Sequence, residues 1–157
     1  MTSSAHRTEG GKPDRLTTEQ IVAAAMAVLA TAAYSAISLF RYFRFGSTID
    51  LAAQAQTIWG YSHFEVIPNT LIGIRNLEGD HFHPILVVLA PLFWIWDSAA
   101  VLLVAQGVLL AIAGVPIFLY GAQRLGPIAG LGFQAAFYAY WGILAGVLFD
   151  FHHVVFA

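Results

Sequence analysis

Asp80, His81 and His83 crowd into the stretch EGDHFHP, directly ahead of the apolar run ILVVLAP. The later stretch LFDFHHVVFA repeats the association with Asp150, His152 and His153. Imidazoles exchange protons near neutral pH, and together with carboxylates they hold divalent cations. In an extended chain residues i and i+2 point to one side, so His-x-His presents two ligands together. A neighbouring Asp supplies a hard oxygen or orients a ligating ring. Plainer roles fit the same residues. Gly79-Asp80 is turn chemistry, and Pro84 suits the first position of a helix with His83 as a cap-like residue. Asp150 at the end of an apolar run fits an interfacial boundary.

Asp50 is the third candidate. A carboxylate at a membrane surface can take a proton from a substrate hydroxyl or hold a divalent metal. Its spacing also matches a capping box, Ser47-x-x-Asp50, with Asp50 at the third helical position. A first-turn acid suits the helix dipole as well, and from spacing alone the cap is the favoured reading.

The elements that must carry these groups belong to a membrane. Of 157 residues, 59% are hydrophobic and only 10% charged, where soluble domains carry about 25% charged residues. The net charge of −2 offers no basic face for nucleic acid. There is no cysteine, which excludes disulfides, thiolate chemistry and Cys-based zinc sites but leaves a His/Asp site open.

Residues 1–16 are polar and read as a disordered cytoplasmic tail. Thr17-Thr18-Glu19-Gln20 resembles a capping box. The uncharged run Ile21–Phe40 follows, long enough to cross the bilayer and too long for a signal peptide's apolar region. The pattern predicts an all-α membrane bundle over 17–157, with spans near 19–42, 99–121 and 127–149. The outer loop 43–98 carries interfacial helices near 48–60 and 84–96. In the first of these, Asp50, Gln54 and Thr57 share one stripe, and Leu51, Ala55 and Ile58 form an apolar stripe beside it. Ile85–Trp96 is too short to span, and Trp94 and Trp96 suit the headgroup level. Pro116 predicts a kink in the second span. Gln106 and Gln134 are expected to bond between helices, and Gly142 and Gly146 to permit close helix packing.

Basic residues set the orientation. With the N-terminus inside, Arg7, Lys12, Arg15 and Arg124 face the cytoplasm, and the longer outer loop dilutes Arg41, Arg44 and Arg75. Asp50, His81, His83, Asp150, His152 and His153 then share the outer surface of the cell membrane. The chain stops within an apolar segment, which reads as the N-terminal piece of a longer protein.

The ordered set of motifs resembles a family of predicted bacterial and archaeal multi-pass membrane proteins. IDLAAQAQTIW resembles its "fDLGxxxQ" signature, HFHPILVVLAPLFWIW its "HFxPillllaPly" segment, and FDFHHVVFA its "fdFHp" motif. LLVAQGVLLAIAGVPIFLYGAQRLG resembles the span that follows the second motif. The resemblance marks Asp50, Gln56, Trp59, His81, Pro84, Gln106, Asp150 and His152. Ala52 stands where the family prefers Gly, and His153 where it prefers Pro. In layout the family is similar to the GT-C membrane glycosyltransferases, which use polyprenyl-phosphate sugars. That similarity implies Asp50 as general base and Gln56, His81, Asp150, His152, Arg44 and Arg75 around the leaving phosphate. A divalent metal would sit on His81, Asp150 and His152. The alternative readings are a non-catalytic membrane component or transporter fragment, or an inactive truncated product.

Overall fold

The computed structural model of the chain describes residues 16–75 and 84–151. Its first helix, α1 (Thr18–Phe43), opens on the expected capping box. Thr17 Oγ1 accepts from the Gln20 amide, and the Gln20 side chain accepts from the Thr17 amide at 2.9 Å. Twenty-six residues rise about 39 Å, more than the roughly 30 Å of hydrocarbon in a bilayer. Helix α4 (Ala100–Leu125) is equally long and runs through Pro116 without interruption. The third apolar stretch, Pro127–Phe149, is also long enough to cross. Three crossings by an all-helical chain match the expected fold class, and no strand occurs among the described residues.

Helix α4 packs along both α1 and the third crossing, and α1 also meets the third crossing directly. Glycines every seventh residue on α4 let its neighbours approach. At Gly114, for example, a Cβ would sit 2.5 Å from the Tyr138 ring. Gly126 adopts φ +93° to reverse the chain, and Pro127 starts the next helix at its favoured first position. Gly142 and Gly146 do not play the expected packing role. A Cβ on Gly146 would meet open space, and one on Gly142 only the nearby Tyr140 ring.

The third crossing is broken where one continuous helix was expected. Helix α5 (Pro127–Tyr138) ends, and α6 (Trp141–Phe149) begins after Ala139 and Tyr140. Irregular backbone at membrane depth persists only where protein satisfies it. Here Tyr34 Oη donates to the Tyr138 carbonyl at 2.8 Å, and Tyr138 Oη donates to the Ala111 carbonyl at 2.6 Å. Gln134 Nε2 donates to the Ala23 carbonyl at 3.1 Å, so this glutamine joins two helices as expected.

The loop between the first two crossings packs as a cap on one end of the bundle. Helix α2 (Ile49–Ser62) falls where a helix near 48–60 was expected. Its apolar stripe, Leu51, Ala55 and Ile58, is covered by protein: by Leu86, Leu89, Phe93, Val101, Leu102 and Phe151. Its expected polar stripe divides. Asp50 is exposed, whereas Gln54 and Thr57 are buried. Asn69 covers Thr57, because its Nδ2 reaches across to the Ala53 carbonyl (2.8 Å) and to Thr57 Oγ1 (3.1 Å). The second expected interfacial helix splits into a 3-10 helix, Pro84–Leu89, and the short α3 (Leu92–Ile95). Trp94 Nε1 donates to the Ser62 carbonyl and ties this segment to the end of α2.

Both α1 and α2 end in the same chain reversal. The amides two and three residues beyond the last helical residue return to carbonyls within the final turn: Gly46 to Arg41 and Phe45 to Tyr42, then Glu65 to Gly60 and Phe64 to Tyr61. This geometry requires a left-handed residue, usually glycine. Here the position falls to Phe45 (φ 59°) and Phe64 (φ 60°), both exposed.

Candidate functional site

The chain leaves α1 through a tight reversal in which Arg41 Nη2 donates to the Gly46 carbonyl at 3.0 Å. It enters α2 at Thr48, whose Oγ1 accepts from the Asp50 amide at 3.3 Å. The cap is therefore Thr48 and not the expected Ser47, and Asp50 is the second helical residue and not the third. The reason lies outside the loop. Asp150, at the end of α6, accepts on Oδ2 from both Thr48 N (2.6 Å) and Thr48 Oγ1 (2.8 Å). Its Oδ1 accepts from the Phe151 amide at 3.0 Å.

Asp150 is only 4% exposed, so the three bonds compensate a buried charge that would otherwise be costly. Gln106 of α4 braces the same corner, donating from Nε2 to the Asp150 carbonyl (3.2 Å) and the Gly146 carbonyl (3.4 Å). Like Gln134, Gln106 bonds between helices as expected. Between Arg41, Ser38, Gly46 and Asp150 lies a cavity of ≈ 10 Å³, about the space one water occupies.

Asp50 and Asp150 thus lie at one end of the bundle, on either side of Thr48. Their environments differ. Asp150 is enclosed and committed to donors of the chain itself. Asp50 is exposed, and no donor among the described residues reaches its carboxylate. An exposed acid fixed on the first turn of a packed helix can accept a proton from a hydroxyl brought to that surface.

The other residues marked by resemblance support the same helix. Gln56 Nε2 donates to Thr70 Oγ1 at 2.9 Å, and its Oε1 accepts from the Thr70 amide at 3.1 Å. It therefore anchors the turn that carries Asn69. Trp59 stacks on His63 with ring centroids 4.1 Å apart, and His63 Nδ1 lies 2.9 Å from the Trp59 carbonyl. Arg44 is exposed, with its guanidinium 4.9 Å over the Phe40 ring. Arg75 is exposed at the edge of the described region.

Asp80, His81, His83, His152 and His153 fall outside the described residues. Among those described, no group of three His, Cys, Asp or Glu side chains could hold a metal.

Sequence reasoning passed over Thr48 and Asn69. A signal for Thr48 exists, since Ser47-Thr48 offers two adjacent cap candidates, but local spacing cannot choose between them. No curated protein and no solved structure matches the chain. The family model described as "Predicted membrane protein (DUF2079)" matches residues 41–157, from the reversal after α1 through the Thr48–Asp150 corner, and the chain belongs to that family.

Proposed function

We propose that the chain forms part of a membrane glycosyltransferase that takes a sugar from polyprenyl phosphate at the outer face of the cell membrane, with the N-terminus cytoplasmic. The observation that carries this reading is Asp50: an exposed carboxylate, with no donor on it among the described residues, on a helix whose start is pinned to the end of the third crossing. In the step proposed, the acceptor hydroxyl gives its proton to Asp50 as its oxygen bonds the sugar's anomeric carbon. The bond from that carbon to the donor phosphate breaks, and the electron pair leaves on polyprenyl phosphate. Arg44, Arg75, His81 and His152 are assigned to the charge that develops there.

Asp150 takes a positioning role in this scheme. A carboxylate offers about four lone-pair directions, and three are filled by Thr48 and Phe151. By that count one direction is left, on Oδ1, where a divalent cation shared with His81 and His152 would bind, and no step is routed through it. Gln56, engaged on both amide atoms by Thr70, is likewise assigned to positioning.

The test is transfer from a radiolabelled polyprenyl-phosphate sugar in membranes holding the full-length protein, wild type beside Asp50→Asn. Loss of a general base lowers the rate about 10²–10⁴-fold. Equal transfer by the two proteins rules out Asp50 as the base.

One observation favours a second reading, a transporter component. The third crossing is broken at Ala139–Tyr140, and Gln134 Oε1 and Ser35 Oγ are buried with no hydrogen-bond partner among the described residues. Broken helices and polar groups inside the bundle mark many substrate and ion paths. Gln134→Leu separates the readings: it impairs a path through the bundle and leaves glycosyl transfer at Asp50 intact.

A further inference from the structure

At the opposite end of the bundle from Asp50, a trough of ≈ 500 Å³ runs between α4 and α5, lined by Pro116, Ile117, Tyr120 and Phe133 with Arg124 at its mouth. Its size lies within the roughly 300–1,000 Å³ of small-molecule sites. The wall is apolar throughout, and Arg124 lines it with its hydrocarbon stem. Arg124 sits in the last turn of α4. Because that helix is about 39 Å long, its last turn falls at headgroup depth when its middle fills the hydrocarbon. The guanidinium lies 5.5 Å over the exposed Tyr120 ring. No carboxylate among the described residues pairs with it, and Arg124 is the one basic residue described at that end.

We propose that this trough is a binding site for an anionic phospholipid of the leaflet on that side, with one acyl chain along Pro116, Ile117 and Phe133 and the phosphate on Arg124. A packed protein helix is the poorer occupant. It would bury a guanidinium that no carboxylate among the described residues pairs with, although Glu19 lies in the first turn of α1 at the same end, and an unpaired buried charge is strongly unfavourable. A zwitterionic lipid brings a phosphate with its own cation beside it. A lipid of net negative charge satisfies both the apolar wall and the unpaired cation. The site is independent of Asp50 and of any transfer chemistry there.

The test is native mass spectrometry of the full chain released from nanodiscs containing equal parts phosphatidylglycerol and phosphatidylcholine. The expected result is retention of one phosphatidylglycerol in preference to phosphatidylcholine. Arg124→Gln lowers that retention about fivefold, the fold-change that corresponds to one basic residue near an anionic surface. Arg124→Lys, which keeps the charge at an exposed position, retains the lipid. Ile117→Trp fills the trough without touching the charge and also lowers retention. Equal retention of the two lipids, unchanged retention in either R124Q or I117W, or a stable dimer that carries no lipid would each overturn the proposal.

Discussion

Thr48 and Asp150 stand 102 residues apart in the chain, yet the Asp150 carboxylate takes both the amide and the hydroxyl of Thr48. A cap that normally serves one helix here joins the loop after the first crossing to the far end of the third. The same threonine oxygen then accepts from the Asp50 amide, so the exposed acid inherits its position from the buried one.

Asp150→Asn is expected to destabilise the protein by about 1.5–3 kcal/mol, the range for hydrogen bonds to a charged group. Thr48→Val, which keeps the amide bond and loses the hydroxyl, costs about 1 kcal/mol. In a double-mutant cycle by thermal unfolding in detergent the two losses should be less than additive, since they remove one contact. Additive losses would show that the corner is not a coupled unit.

Asp50→Asn behaves differently. Its side chain is exposed and contributes through the dipole of α2, so the change in stability should stay within about 0.3–1 kcal/mol. Unfolding of the same preparations used for the transfer assay provides the check. A large loss of stability would mean that Asp50 holds the fold rather than serving chemistry.

The three crossings were legible because uncharged runs longer than the bilayer is thick have few other uses, and the Thr17 box was legible because all its partners are local. What escaped sequence reasoning was decided by distant partners. Thr48 displaces Ser47 as the cap because Asp150 reaches it. Thr57 turns inward because Asn69 covers it. The break at Ala139–Tyr140 carries no glycine or proline to announce it. It persists because Tyr34 supplies the Tyr138 carbonyl with a donor from another helix. Of the candidate site, the residue types at Asp50 and Asp150 could be read in advance, and their division into an exposed and an enclosed acid could not.

Gly114→Ala should cost about 1–3 kcal/mol through overpacking, since the new methyl falls against the Tyr138 ring. Tyr138→Leu also destabilises, by removing the bond to Ala111. Combining the two should recover part of the first loss, as read by the apparent Tm in detergent. Strict additivity would argue against the close approach.

Phe45→Gly should stabilise the protein by about 1 kcal/mol, because glycine adopts the left-handed conformation that Phe45 holds under strain. The side chain is 98% exposed, so little packing is lost. A Tm that falls on substitution would show that the ring is held by the bilayer interface instead.

The absence of cysteine makes accessibility simple to read. A single cysteine at position 50 and one at exposed position 123 should react with a membrane-impermeant maleimide from opposite sides in sealed vesicles. Labelling from one side alone would contradict three crossings.

The Thr48–Asp150 bond also sets an order of events at the ribosome. Synthesis at about 5–20 residues per second leaves roughly 5–20 s between the emergence of the two partners, 102 residues apart. During that interval the start of α2 lacks its anchor, and the apolar face later covered by Phe151 lies open to lipid or to the insertion machinery. Maturation of this end of the bundle therefore waits on the last turn of the third crossing.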